Sequence, residues 1–344
     1  MWGFFVSNGL EILSEKTISF SKPIVLRFKI GSFSLQNNRF LYGVYFLRNR
    51  KTKIFENIIL DLVAIHKNYC TFVIMEFRTI IDIPKPVFTI DACERVLFVG
   101  SCFASSIGKK FVDWKFRATV NPFGVMYNPA SVLHTIEKMN ETFDTVVLTL
   151  GTNHVYIERA TGEIVDNCNK RPQRLFEEKE LDIAECKAYL QQAMNHLWAI
   201  NPETKIVLTV SPIRYAKYGY HESQLSKSVL LLAINGLMQT NDGRIAYFPA
   251  YEIVNDELRD YRFYQSDMLH PNEQAVEYIW ERLVETWFSA SAKAFLAEWK
   301  PIKQAFEHRP FNPDSAEYKQ FIAQAKAKAR ELSLKYNGLN IETL

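Results

Sequence analysis

Four short, unbroken apolar runs constrain this chain most: Arg95–Gly100 (RVLFVG), Thr145–Leu150 (TVVLTL), Lys205–Val210 (KIVLTV) and 244–248 (RIAYF). Each is too short for a helix, rich in β-branched or aromatic residues, and without the polar alternation of a strand that has one wet face. That is the signature of strands buried on both faces. Helical periodicity fills the gaps between them. At 183–199, Ile183, Cys186, Leu190, Ala193 and Leu197 make one apolar stripe, with Asp182 and Glu185 set as a capping box. Further helices are expected at 223–239 and 273–288. Strands alternating with helices predict an α/β fold, a parallel sheet in the middle of three layers.

Composition sets the limits of this domain. Residues 1–74 carry ten Lys/Arg against four Asp/Glu, a balance of +6, which leaves 31 against 34, or −3, for the rest. Alanine changes at the same place, from Ala64 alone to 24 residues afterwards, and the first 74 residues hold no sustained helical or strand period. They resemble translated AT-rich upstream DNA, and the chain restarts at Met75. We therefore expect 1–74 to be a mis-annotated or poorly structured extension, with a small basic arm for nucleic acid or anionic lipid as the rival reading. The domain proper is expected over 75–289. A helical C-terminal appendage follows over 290–344, with a helix at 315–335 interrupted upstream by Pro301, Pro310 and Pro313.

At 48% hydrophobic the chain has enough apolar surface for a large core, and none of its runs approaches the roughly 18 residues of a membrane span. The opening residues lack a basic lead-in and a small-residue cleavage site, so the expected location is the cytoplasm. Five cysteines at irregular spacing, Cys70, Cys93, Cys102, Cys168 and Cys186, fit reduced thiols better than disulfides or a zinc site. No metal or other cofactor is expected. The −3 balance of the main domain argues against nucleic acid as its partner.

In an open parallel sheet, ligands sit beyond the carboxyl ends of the strands. There the four runs deliver Gly100-Ser101-Cys102, Gly151-Thr152-Asn153-His154, Ser211-Pro212-Ile213-Arg214 and Pro249-Ala250-Tyr251-Glu252. Further on, Asp267-Met268-Leu269-His270 places a carboxylate three residues before a histidine. Such a carboxylate can hold the imidazole by one nitrogen and leave the other free as a base. Alone, an Asp-x-x-His is most often a helix cap beside a surface histidine.

The order of these pieces resembles the SGNH (GDSL-like) hydrolase superfamily, with its Gly-x-Ser after the first strand, a glycine, a Gly-x-Asn and a late Asp-x-x-His. Within it, GSCFA at 100–104, NPFGVMYNP at 121–129, TVSPIR at 209–214 and DELRDYRFYQSDMLHP at 256–271 resemble the GSCFA domain family. The resemblance implies an SGNH/flavodoxin-like sheet and an acyl esterase or acyltransferase working through a covalent acyl-enzyme. Acylated carbohydrate is the substrate it suggests. His270 would be the base, Asp267 its orienter, and Gly124 and Asn153 the oxyanion donors. For Asn153 an Asx turn is the bland alternative. For His154 it is a solvent-facing or ring-stacked residue, with substrate contact as the functional one.

The superfamily register places Cys102 at the nucleophile; an offset of one places Ser101 there instead and leaves Cys102 as packing. A thiol needs less activation than an alcohol, and the positive end of the following helix points at it. Arg214, Arg259 and Arg262 either bind an anionic substrate group or brace loops by pairing with Glu252, Asp256, Asp260 and Asp267. The second function is a ligand-binding or scaffold protein that kept the cleft without turnover.

Overall fold

Val96, Leu97, Phe98 and Val99 of β1 (Arg95–Gly100) are completely buried, and they alternate between two separate cores. Val96 and Phe98 face one core; Leu97 and Val99 face the other. The same alternation holds in β3 (Thr145–Leu150) and β7 (Lys205–Val210), where Val147 and Val207 take the first side and Leu148 and Leu208 the second. Each such side chain contributes about 1.5–3 kcal/mol of burial. A strand buried on both faces needs helices on both, so the three layers follow from the runs themselves.

The computed structural model describes residues 78–169, 171–240 and 242–342, and before them the backbone of short strands only. The chain divides into two compact units, Met1–Met75 and Glu76–Leu344, within a residue of the composition boundary. In the first unit Glu15–Ser19 pairs antiparallel with Pro23–Arg27, and two shorter ladders join Lys29–Ile30 to Val44–Tyr45 and Leu35–Gln36 to Arg39–Phe40. Otherwise the expectation for 1–74 lies outside the described residues.

The second unit holds five parallel strands. With β2 (Arg117–Val120) and β8 (Ile245–Tyr247), their order across the sheet is β2-β1-β3-β7-β8. Strand order therefore reverses between β1 and β3, and the crevice at their carboxyl ends is where such a sheet takes its ligand. One layer contains α1 (Cys102–Asp113) and α5 (Glu273–Trp287); the other contains α2 (Pro129–Glu137), α3 (Ile183–Ile200) and α4 (Tyr220–Met238). The capping box is formed as expected: Glu185 N donates to Asp182 Oδ1 at 2.7 Å, and Asp182 N to Glu185 Oε2 at 2.9 Å. No helix among the described residues is long and apolar enough to cross a membrane.

Two features differ from the sequence reading. Between β3 and α3 lies an antiparallel sheet of β4 (His154–Glu158), β5 (Ile164–Val165) and β6 (Phe176–Glu180), ordered β5-β4-β6, where no strands were expected. Its outer strand, FEEKE, is mostly exposed and has no apolar alternation to read. And α6 (Ala290–Glu307) runs through Pro301 instead of breaking there. An interior proline costs about 3 kcal/mol. Buried Phe295, Trp299 and Ile302 hold the helix on both sides of it. The helix is followed by the expected α7 (Ala316–Lys335), capped by Ser315, whose Oγ accepts from Tyr318 N at 3.2 Å.

Candidate active site

At the end of β1 the backbone leaves no room for a side chain. Gly100 has φ +142°, and a Cβ built on it would lie 2.1 Å from Thr149 O. This close approach lets Ser101 N reach Thr149 O at 3.1 Å and Thr149 Oγ1 at 3.0 Å, locking the turn to β3. Asn121 closes the other side, its Oδ1 accepting from Gly100 N at 2.9 Å.

The two nucleophile candidates fall into different environments. Ser101 is fully buried as the N-cap of α1; its Oγ accepts from Phe103 N at 3.2 Å and lies 3.2 Å from Thr149 Oγ1. Cys102, the first residue of the helix, is only partly buried, and its Sγ lies 3.7 Å from Tyr127 Oη. Burial and the contact with Cys102 push the Tyr127 phenol up to about 12, so it stays protonated and able to donate.

Asp267 and His270 are joined as expected. His270 Nδ1 lies 2.6 Å from Asp267 Oδ2, while Asp267 Oδ1 accepts from Leu269 N at 2.8 Å and His270 N at 3.0 Å. These hydrogen bonds, from the backbone first and the imidazole next, hold the carboxyl down at about 2. The loop is tight enough to put Met268 at φ +58°, a left-handed conformation that a side chain adopts at a cost of about 1–3 kcal/mol. Arg214 ties it to the end of β7, donating from N to Leu269 O at 3.1 Å and from Nη1 to Met268 O at 3.0 Å. The Asp-His pair and the thiol thus share the carboxyl edge of the sheet. Among the described residues no hydrogen bond joins Cys102 to His270; the thiol is in contact with Tyr127 instead.

Both expected oxyanion donors have a backbone carbonyl as partner. Gly124 N donates to Asn121 O at 2.9 Å, closing a turn in which Gly124 has φ +94°. Asn153 is buried, and its amide donates to Leu181 O at 2.7 Å, clasping β4's start to the lead-in of α3. Its Oδ1 accepts from no group among the described residues, so the Asx turn weighed for it is not formed.

His154 is ring-stacked on Tyr218, with centroids 3.8 Å apart and planes 6° from parallel, and its Nδ1 lies 3.0 Å from Glu178 Oε1. Arg262 is an exposed loop brace, 3.6 Å from Asp260. Glu252 faces the Tyr247 hydroxyl at 2.8 Å rather than any arginine.

Two cavities of about 390 Å³ each flank the segment after β7. Tyr215 lines the first together with Tyr127, Tyr218, His154 and Cys168, whose thiol burial pushes up. Arg214, the preceding residue, lines the second. The insertion β4-β5-β6 supplies much of the first cavity's wall, so this surface was invisible to a reading that missed those strands.

Lys227 was missed as well. Fully buried on α4, it donates from Nζ to Gly151 O at 2.6 Å and Ser211 O at 2.8 Å, the residues just past β3 and β7, with the Tyr215 ring 4.9 Å away. Burial lowers its ammonium to about 7. The signal was present: Ser223, Ser226, Lys227, Leu230, Ala233, Ile234 and Leu237 form α4's buried stripe, and a lysine within such a stripe has a polar task.

The model of the GSCFA family matches residues 95–144 and 133–283, and that of the GSCFA domain protein C-terminal domain matches 299–343. The chain belongs to the GSCFA family. No curated protein matches it. Among solved structures, this GSCFA protein is similar to an acetyl-xylooligosaccharide esterase from Geobacillus Stearmophilus (12% identity, covering 59% of this chain and 100% of that one, TM-score 0.36). It is also similar to a carbohydrate esterase family 3 protein from Talaromyces cellulolyticus (11%, 60% and 98%, TM-score 0.34). At these scores the likeness says nothing about which groups react.

Proposed function

We propose that this GSCFA protein is an acyl hydrolase or acyltransferase of SGNH type, with Cys102 as nucleophile, His270 as base and Asp267 as its orienter. The observation that carries the proposal is the Asp267–His270 pair: three hydrogen bonds fix the carboxylate, Nδ1 is engaged at 2.6 Å, and Nε2 is left for a proton. Arg214 anchors that pair at the sheet edge where β1 delivers the thiol. Ser101 is the weaker nucleophile candidate because its oxygen is buried and occupied as a cap.

In the reaction, Cys102 sulfur attacks the acyl carbonyl while its proton passes to His270 Nε2. The tetrahedral oxyanion then collapses, the C–O bond to the leaving alcohol breaks, and His270 returns the proton to that alcohol. Water or an acceptor hydroxyl, deprotonated by His270, releases the acyl group from the thioester. With Gly124 N and one Asn153 N–H engaged elsewhere, the donors we assign to the oxyanion are Cys102 N at the positive end of α1 and the Tyr127 hydroxyl. A donor of this kind contributes about 10²–10³ in rate. The thiol must leave Tyr127 for His270 when substrate enters, as catalytic contacts that are loose in free enzymes tighten on binding. Acylated carbohydrate fits the ring-lined cavity beside Tyr127, because sugar faces stack on phenol rings and hydroxyls bond to the polar groups between them.

Intact-mass spectrometry after brief exposure to an activated acetyl ester tests the mechanism. A single acetyl adduct is expected in wild type and in Ser101→Ala, and none in Cys102→Ala. His270→Ala should form it far more slowly. The specific observation favouring a binding protein without turnover is the Cys102–Tyr127 contact in place of Cys102–His270. Absence of adduct in folded wild-type protein would select that reading.

A further inference from the structure

Arg214 and Arg259 line one cavity of about 390 Å³, together with Tyr261, Tyr264, Gln224 and Asn255. Bracing of the loops by ion pairs is the bland explanation for these arginines, and of the four carboxylates that would do it all but Asp256 have other partners. Asp267 holds His270, Glu252 holds Tyr247, and Asp260, itself in the cavity wall, is 3.6 Å from Arg262. Among the described residues neither Arg214 nor Arg259 has a carboxylate within salt-bridge distance.

Arg214 is nevertheless held in place. Its guanidinium lies 4.2 Å from the Tyr220 ring centroid, 5.6 Å from that of Tyr264 and 5.8 Å from that of Tyr261. Nη1 is engaged with Met268 O, which leaves Nε and Nη2 with donors to spare. A fixed cation with free donors, lining a cavity that a second arginine also lines, matches an anion.

We infer that the Arg214–Arg259 cavity is an anion subsite, which takes a carboxylate or phosphate group on the substrate. The inference rests on the proposed acyl transfer for its meaning, because Arg214 is bonded to the same loop that orients His270. It narrows the substrate to an ester whose acyl or alcohol part carries negative charge. Arg214 would report occupancy of the subsite to the base through Met268 O and Leu269 O.

Equilibrium binding to the full-length Cys102→Ala protein, read by tyrosine fluorescence, tests the subsite without needing turnover. Inorganic phosphate and succinate are the two probes, and the tighter one identifies the anion class. Arg259→Gln and, separately, Arg214→Lys should each weaken the preferred probe about tenfold or more, with the effect shrinking at high salt. Circular dichroism checks that both variants are folded. Failure of both probes to bind, or binding that neither substitution weakens, overturns the subsite whatever the esterase assay shows. Arginine-dependent binding in a protein that never forms an acyl adduct keeps the subsite and removes the reaction.

Discussion

At the residue scale, Ser101 and Cys102 show how one step along the chain separates a buried helix cap from a partly exposed thiol. The motif at the end of β1 placed both correctly but could not say which side chain faces inward. That depends on where α1 begins, and boundaries are the least legible part of a helix. Because Ser101 caps α1, Ser101→Ala should cost about 1 kcal/mol in denaturant unfolding and leave the Cys102 thiol reactive toward iodoacetamide. Loss of thiol labelling in that variant would reverse the two roles. The partners of Asn153 and Gly124 were illegible for a related reason: a motif fixes where a Cα sits, whereas the amide's direction is decided by whichever partner is nearest, here Leu181 O and Asn121 O. Lys227 gives a pH signature. Burial lowers it to about 7, so between pH 7 and its ordinary value near 10.4 the unfolded chain binds a proton that the folded protein does not. Stability contributed by this group therefore rises with pH across that window and is flat below it, with a slope of at most about 1.4 kcal/mol per pH unit. Urea unfolding between pH 7 and 9 should show the slope in wild type and lose it in Lys227→Met. An unchanged slope would mean that the ammonium stays charged between Gly151 O and Ser211 O.

At the element scale, the strands and helices that were legible in the sequence are those whose pattern comes from burial alone. β1, β3 and β7 match their apolar runs residue for residue, and α3 starts at its capping box, because each is specified by a core face. The β4-β5-β6 insertion was illegible because it has little core. Its register, His154 opposite Glu180 through Glu158 opposite Phe176, is set by pairing to a largely exposed strand. The junction of β1 and α1 carries the sharpest prediction at this scale. Gly100→Ala places a methyl group against Thr149 O, at a φ of +142° that alanine rarely adopts, so either β1 and β3 separate at their carboxyl ends or the turn rebuilds. Thermal unfolding should show loss of most of the protein's stability or of its cooperativity. A variant that melted like wild type would mean that the approach of the two strands is dispensable.

At the scale of the whole molecule, the C-terminal helices share a core with the sheet they follow. Their Ala, Lys and Glu content reads as a packed appendage, and Phe295, Trp299, Ile302, Leu332 and Ile341 belong to the same core as β1, α1 and α5. Phe116 and Phe295 meet edge to face at 5.4 Å, Phe295 and Tyr336 at 5.2 Å, and Asn340 N donates to Lys115 O at 3.0 Å, just before β2. The period of α7 did not reveal this, because its buried positions are Ala325, Ala329 and Leu332, and small residues pack closely without a strong apolar signal. Removing one buried Phe or Trp side chain costs about 3–5 kcal/mol, and a domain has about 5–15 kcal/mol in total. Ending the chain at residue 289 removes Phe295, Trp299 and Ile302 together, and exposes Phe116 on the face that Phe295 covered. Such a truncated protein should lose its cooperative thermal transition and bind a hydrophobic dye at room temperature. A sharp transition without dye binding would instead show that the sheet with α1 and α5 completes its own core, and that the helices after 289 are additions to a finished domain.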